Sequence, residues 1–189
     1  ALSEEMHATV WRDGAEWTQS FSRGKSASKL SKGKRSKKHG TRIFFRPDPE
    51  IFKSIAFSRT RLESEVEEKA FLNKGLSLTF VDEASDTSRD FLYEDGLKSY
   101  LTHLAAKGKS TLIADEVFYL EKTEGLRVEV AFAWTESPKE KILSFVNGIS
   151  TAQGGSHEDG FKNGLARAVR NYISVHGLNE KGLKLTLSL

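Results

Sequence analysis

The sequence contains no cysteine, which excludes disulfides and thiolate metal centres. No apolar run approaches the roughly 18 residues of a membrane span. The opening ALSEEMHATV has neither a basic n-region nor an apolar core, so no secretory signal is expected. The five histidines are scattered, with no pair at helical i,i+4 spacing, so no metal site is expected. No Gly-rich phosphate loop occurs, and no nucleophile with a plausible base stands out. These absences leave little chemistry for the chain to perform alone, and no catalytic residue is assigned.

What is present is a 189-residue chain with 38% hydrophobic and 29% charged residues, enough for one large domain or one and a half. The formal net charge is +3, but it is unevenly spread. Between Phe21 and Gly40 stand eight basic residues (Arg23, Lys25, Lys29, Lys32, Lys34, Arg35, Lys37 and Lys38) and no acid. Outside that stretch 21 basic residues face 26 acidic ones, a balance of −5, so the basic character is one local feature.

HATVWRDGAEWTQSF alternates around Asp13-Gly14 and predicts a hairpin. The Ser/Gly/Lys stretch 22–39 predicts a mobile loop, because its composition cannot build a core. TRIFFRP at 41–47 predicts a strand with Ile43 and Phe45 on one face, ended by Pro47 and Pro49. Leu62, Val66 and Ala70 repeat at i,i+4 and predict a helix over 58–74, with Gly75 placed to stop it. LSLTF at 76–80 reads as a strand, and Leu97, Leu101 and Leu104 mark a second helix. LRVEVAFAW at 126–134 is the cleanest alternation in the chain, and KILSFVNGI is expected to pair with it across SPKEK.

Residues 143–172 carry the most information. A strand-like LSFVNGI enters the loop TAQGGSH, which opens a helix. Gly154-Gly155 allows backbone geometries that other residues avoid. Ser156 and Asp159 have capping-box spacing. Phe161, Leu165, Ala168 and Tyr172 fall on one helical face, leaving Lys162, Arg167 and Arg170 off it. The element order is a hairpin, a strand, then helix, strand, helix, two strands and a helix, which is an α+β layered class.

TAQGGSH followed by GF and a basic amphipathic helix resembles the transducer region of the ATPase subunit of bacterial type IIA topoisomerases, the gyrase B and topoisomerase IV ParE subunits. Three further blocks agree in order: GTRIFFRPDPEIF at 40–52, KAFLNKGLSLTFVDE at 69–83 and FLYEDGLKSYLTHL at 91–104. Together they cover most of 40–187, and TAQGG and GLKLT point to the ParE type. The chain departs from the family pattern in three places. SEVEEKAFLN lacks the usual R-x-R-E, EDG at 94–96 replaces E-GG, and the sequence after GLKLT is not the family's.

The resemblance implies a ribosomal-S5-domain-2-like transducer, a mixed sheet with packed helices, over 47–189. It implies that 1–46 are the last strands of a GHKL ATPase domain, with the basic loop at 22–39 inserted between them. Gly40, Thr41 and Ile43 are then the nucleotide-binding candidates, with Thr41 near the adenine and Ile43 lining the base pocket. The γ-phosphate lysine of the family's Q-T-K loop is not in this chain, and Lys184 is not assigned to that role.

The full enzyme would use ATP and Mg²⁺. This piece alone is expected to bind neither tightly and to be inactive as an ATPase. Implied partners are duplex DNA, a DNA-cleaving subunit of the ParC or gyrase A type, and a second copy of the ATPase subunit in a homodimer. No membrane partner is expected, and the implied location is cytoplasmic. Family transducers enclose a DNA cavity, so Lys162, Arg167 and Arg170 are candidate phosphate contacts, and Lys34, Arg35, Lys37 and Lys38 candidates for non-specific attraction. His157 is expected to fix the loop by hydrogen bonding. The alternative is a stand-alone, non-enzymatic paralogue that binds nucleic acid through its basic loop.

Overall fold

Asp13-Gly14 reverses the chain where the sequence signals it. Both residues take positive φ, 53° and 72°, the pair that a type I′ turn demands. In the computed structural model, which describes residues 2–114, 116–137 and 139–178, this turn joins β1 (Ser3–Arg12) to β2 (Ala15–Ser22). β5 (Gly40–Pro47) lies antiparallel on the other side of β1, with Val10 opposite Thr41 and Ala8 opposite Ile43.

The expected loop at 22–39 is corrected in part by the structure. Arg23-Gly24 makes a second tight turn, and β3 (Lys25–Ser26) and β4 (Ser31–Arg35) both pair with β2. Composition argued against a core, but an edge strand needs none. Its backbone ladder is enough, and charged edges are a common protection against edge-to-edge association. The sheet order is β3-β2-β1-β5, with β4 also on β2.

After β5 the chain turns on Asp48. This carboxylate is 2% exposed. It accepts from Arg23 Nε at 2.8 Å and from the Glu50 backbone N–H at 2.9 Å. A buried carboxylate with an ion-pair partner and a backbone donor is satisfied on both oxygens.

Contacts divide the chain into two units, 1–62 and 63–189. The second unit contains most of α1 (Arg59–Leu72), the hairpin β6–β7 (Leu78–Asp82, Thr87–Phe91), α2 (Leu97–Lys107), the hairpin β8–β9 (Phe118–Glu124, Leu126–Phe132), the short hairpin β10–β11 (Phe145–Val146, Ile149–Ser150) and α3 (Ser156–Val175). The α+β class holds. The expected mixed sheet is not seen among the described residues, where these hairpins form three separate two-stranded antiparallel sheets.

The expected pairing of KILSFVNGI with β9 is also corrected. Gly125, at φ 77°, turns β8 directly onto β9, and the tight turn wins over a distant partner. Asn147-Gly148, at φ 51° and 73°, then folds LSFVNGIS back on itself as β10–β11. Residues 179–189, which hold GLKLTLSL and Lys184, lie outside the described residues.

The core of the second unit centres on Ala70, Phe71 and Phe91, all nearly inaccessible. The Phe71 ring stacks between Tyr93, at 3.6 Å between centroids, and Tyr100, at 4.9 Å. Phe71→Ala should lower unfolding free energy by about 3–5 kcal/mol, read by urea titration of the chain. A loss below about 1 kcal/mol would show that the stack is not the organising contact.

Candidate nucleic-acid and nucleotide surfaces

Cross-strand register separates the two faces of the first sheet. Trp17, Val10 and Thr41 form one row, and Gln19, Ala8 and Ile43 the next. Phe21, Met6 and Phe45 continue this face. It is mainly apolar and open, with Ile43 and Phe45 each 51% exposed. The opposite face is polar: Glu5, His7, Thr9, Arg42, Phe44 and Arg46 line a shallow cleft on it. Thr41 and Ile43, the nucleotide candidates, therefore share the apolar face, while Gly40, at φ 144°, starts their strand.

The eight-cation stretch divides as well. Lys32 lies over the Trp17 ring at 5.3 Å and Lys38 over the Trp11 ring at 5.6 Å, within cation–π reach. Arg23 is held by Asp48 and Glu50, and those carboxylates keep its guanidinium pKa above the ordinary value, the Asp48 hydrogen bond first. Lys34, Arg35 and Lys37 are exposed and have no ion-pair partner among the described residues. Folding thus leaves β4 and the residues after it as the free basic edge.

α3 differs from its helical-wheel expectation. Ala166 is buried, with Phe161, Lys162, Leu165, Val169 and Ile173 partly so, while Ala168 and Tyr172 are exposed. The packed stripe is rotated from the expected one because helices leave the face over their neighbours to decide. Lys162 consequently lies at the edge of the packed side, 23% exposed, with its ammonium 2.7 Å from Glu140. That hydrogen bond raises its pKa, with the charges of Glu158 and Asp159 adding. Arg167 and Arg170 are exposed and have no ion-pair partner among the described residues.

The expected capping box is corrected. Gly155 is the N-cap and no side chain caps α3. Ser156 already lies inside the helix, and the polar groups beside the loop bond to one another instead. Ser144 Oγ donates to the Glu158 carboxylate and lies against Thr151 Oγ1, which is 3.1 Å from His157 Nε2. The expected role of His157 in bonding the loop matches this geometry. Sequence reading had no signal for Ser144 or Glu158, although Asn147-Gly148 did announce the hairpin that brings Ser144 and Thr151 together. Among the described residues no cluster of three metal-ligating side chains occurs and no helix is long and apolar enough to cross a membrane.

The profile of the family described as DNA gyrase B matches residues 96–188. DNA gyrase B of Clostridium acetobutylicum is 38% identical over 97% of this chain and 29% of its own length. The B-subunit of DNA topoisomerase 4 from Bacillus subtilis is 35% identical over 98% of this chain and 28% of its own. The chain belongs to the family of DNA gyrase B and its topoisomerase IV counterpart.

Solved members of that family share the fold. The 43K ATPase domain of Thermus thermophilus gyrase B, in complex with an aminocoumarin, superposes with a TM-score of 0.82 at 34% identity, covering 96% of this chain and 50% of that one. The topoisomerase IV ATP-binding domain of Francisella tularensis, in complex with a small-molecule inhibitor, gives 0.81 at 31%, covering 98% and 50%. The chain thus spans under a third of the length of these curated gyrase B-type relatives and half of the solved domains.

Within the family loop, Gly155 sits at φ 153°, and a Cβ there would meet the His157 ring at 3.0 Å. Gly164, inside α3, has open space at the same test. Gly155→Ala should therefore destabilise the chain by about 1–3 kcal/mol. Gly164→Ala should stabilise it by about 0.5–1 kcal/mol through helix propensity. Thermal melts of both variants check the contrast, and equal shifts would refute the steric account.

Proposed function

We propose that this chain is a piece of the ATPase subunit of an ATP-dependent type IIA DNA topoisomerase, relaying ATP binding and hydrolysis to passage of one duplex through another. Residues 1–46 supply the last strands of a GHKL ATPase domain and 47–189 a transducer of ribosomal-S5-domain-2-like type. The observation that carries this reading is the likeness to gyrase B-type ATPase structures over 96% of the chain.

The nucleotide end of the reading rests on the apolar face. Thr41 offers a hydroxyl beside Ile43 on a mainly apolar surface, which suits a planar base with one polar edge. Bound ATP would supply the free energy of the cycle, with Mg²⁺ on its phosphates. Among the described residues no phosphate-binding loop accompanies Thr41. The chain alone should therefore show no ATP turnover in a coupled assay, and turnover abolished by Thr41→Ala would overturn that assignment.

The DNA end rests on α3 and β4. Contacts there are to phosphate, as suits a machine indifferent to sequence. Arg167 and Arg170 have no ion-pair partner among the described residues, and Lys162 can join only by leaving Glu140. Lys34, Arg35, Lys37 and Lys38 add a second, diffuse attraction. The partners are duplex DNA, a DNA-cleaving subunit and a second ATPase subunit, in the cytoplasm.

Salt-titrated binding to duplex DNA tests the assignment. Replacing both Arg167 and Arg170 by Ala should reduce the slope of log K against log salt by about 1.8, at about 0.9 per phosphate contact. Lys162→Ala should change the slope less. A slope that falls only when Lys34, Arg35, Lys37 and Lys38 are neutralised would remove α3 from the DNA contact. It would favour the second reading, a non-enzymatic nucleic-acid-binding relative, which the exposed charges of β4 support.

A further inference from the structure

The tip of the β10–β11 hairpin is held from outside. Lys69, in the last turn of α1, donates from its ammonium to the Gly148 carbonyl, 79 residues away in sequence. Lys69 is half-buried and Gly148 stands at the turn apex, φ 73°. A charged donor on a backbone acceptor is about twice as strong as a neutral pair.

The neighbouring residue grips the same hairpin from below. Glu68 accepts from the Tyr100 hydroxyl at 2.8 Å, and Tyr100 lies 6.4 Å, ring to ring, from Phe145 of β10. At the base of the hairpin, Ser144 and Thr151 meet each other, and through them Glu158 and His157 at the head of α3. Hydrogen bonds and ring contacts therefore run without a gap from α1, through the hairpin, to the helix that carries Arg167 and Arg170.

We propose that Lys69 is a positioning residue whose bond to Gly148 makes α1, the β10–β11 hairpin and the head of α3 move as one body, so that displacement of α1 re-aims the basic face of α3. The geometry stands by itself; its consequence for strand passage rests on the function proposed above. Lys69→Met keeps the aliphatic stem and removes the donor, and Lys69→Arg keeps a charged donor.

Hydrogen–deuterium exchange of this chain is the first test. Lys69→Met should speed exchange about tenfold at Ile149 and at Glu158 and Asp159, leave β8–β9 unchanged, and be rescued by Lys69→Arg. No change at the head of α3, or an equal rise in β8–β9, would overturn the proposal, since the bond would then be absent or merely stabilising.

The second test uses the full-length subunit assembled with its DNA-cleaving partner. Lys69→Met should leave ATP turnover within about twofold and lower strand passages per ATP about fivefold, the low end of coupling between sites. Unchanged passages per ATP would overturn the coupling role. A wild-type assembly that passes no strand would instead refute the proposed function, leaving exchange to decide the linkage.

Discussion

The second unit depends on one aromatic stack. Phe71 is 2% exposed and lies between two tyrosines that come from different places, Tyr93 after β7 and Tyr100 within α2. Both hydroxyls return to α1, Tyr93 to Glu67 and Tyr100 to Glu68. The stack is thus closed at its rims by hydrogen bonds, and three elements are fixed by one residue. Burial, then the carboxylate partner, pushes the Tyr93 hydroxyl up to about 12 and the Tyr100 hydroxyl higher still. Each stays a neutral donor through ordinary pH. The acids of α1 are more than a solvated face: Glu63 also pairs with Arg89.

Much of the fold was legible because local signals agreed with the final contacts. Asp13-Gly14, the alternation of β9, and the i,i+4 repeat of α1 each specify an element regardless of what packs on it. The misses share a cause. β4 is a strand only because β2 offers an open edge, and no pattern within SKGKR announces that. The face of α3 keeps Phe161 and Leu165 of the expected stripe but trades Ala168 and Tyr172 for Lys162, Ala166, Val169 and Ile173, because the two stripes are neighbours on a helix and tertiary packing selects between them. FYLEKTE has no apolar–polar alternation, so β8 carried no periodic signal that would have given β9 its partner. Family motifs named Thr41 and Ile43 as candidates, and the register shows only that they share one face of the sheet. The bond between Lys69 and Gly148 left no trace in the sequence, because its partners lie 79 residues apart.

The two faces of the first sheet differ in a way that bears on nucleotide use. Glu5 bridges His7 and Arg46 on the polar face, so that face is suited to water. The other exposes Ile43 and Phe45 beside Met6, Ala8 and Val10, more contiguous apolar surface than a sheet normally leaves bare. Thr41 is set among these rows. A hydroxyl on a mainly apolar face discriminates for a ligand that can bond it, because an occupant that cannot leaves it buried and unpaired. The face is therefore better suited to a base edge than to a phosphate.

Charge along α3 is graded. Glu158 and Asp159 occupy its first turn, where the helix dipole favours anions, and Glu140 sits against Lys162 one turn later. A phosphate backbone nearing this end meets three carboxylates and one ammonium already bound to one of them. Farther along, Arg167 and Arg170 stand exposed with no acid against them among the described residues. The gradient steers a polyanion away from the head of α3 and toward its middle. Because the exposed charges act through solvent, salt weakens the steering within about a Debye length, near 8 Å at physiological ionic strength. The Lys162–Glu140 contact, direct at 2.7 Å and with the lysine partly buried, is less sensitive to that screening. Its hydrogen bond holds Lys162 on the packed side, so rising salt reduces the pull of the arginines before it frees the lysine. If the proposed function holds, the arginines would set affinity for DNA, and Lys162 would set where on the helix the DNA cannot lie.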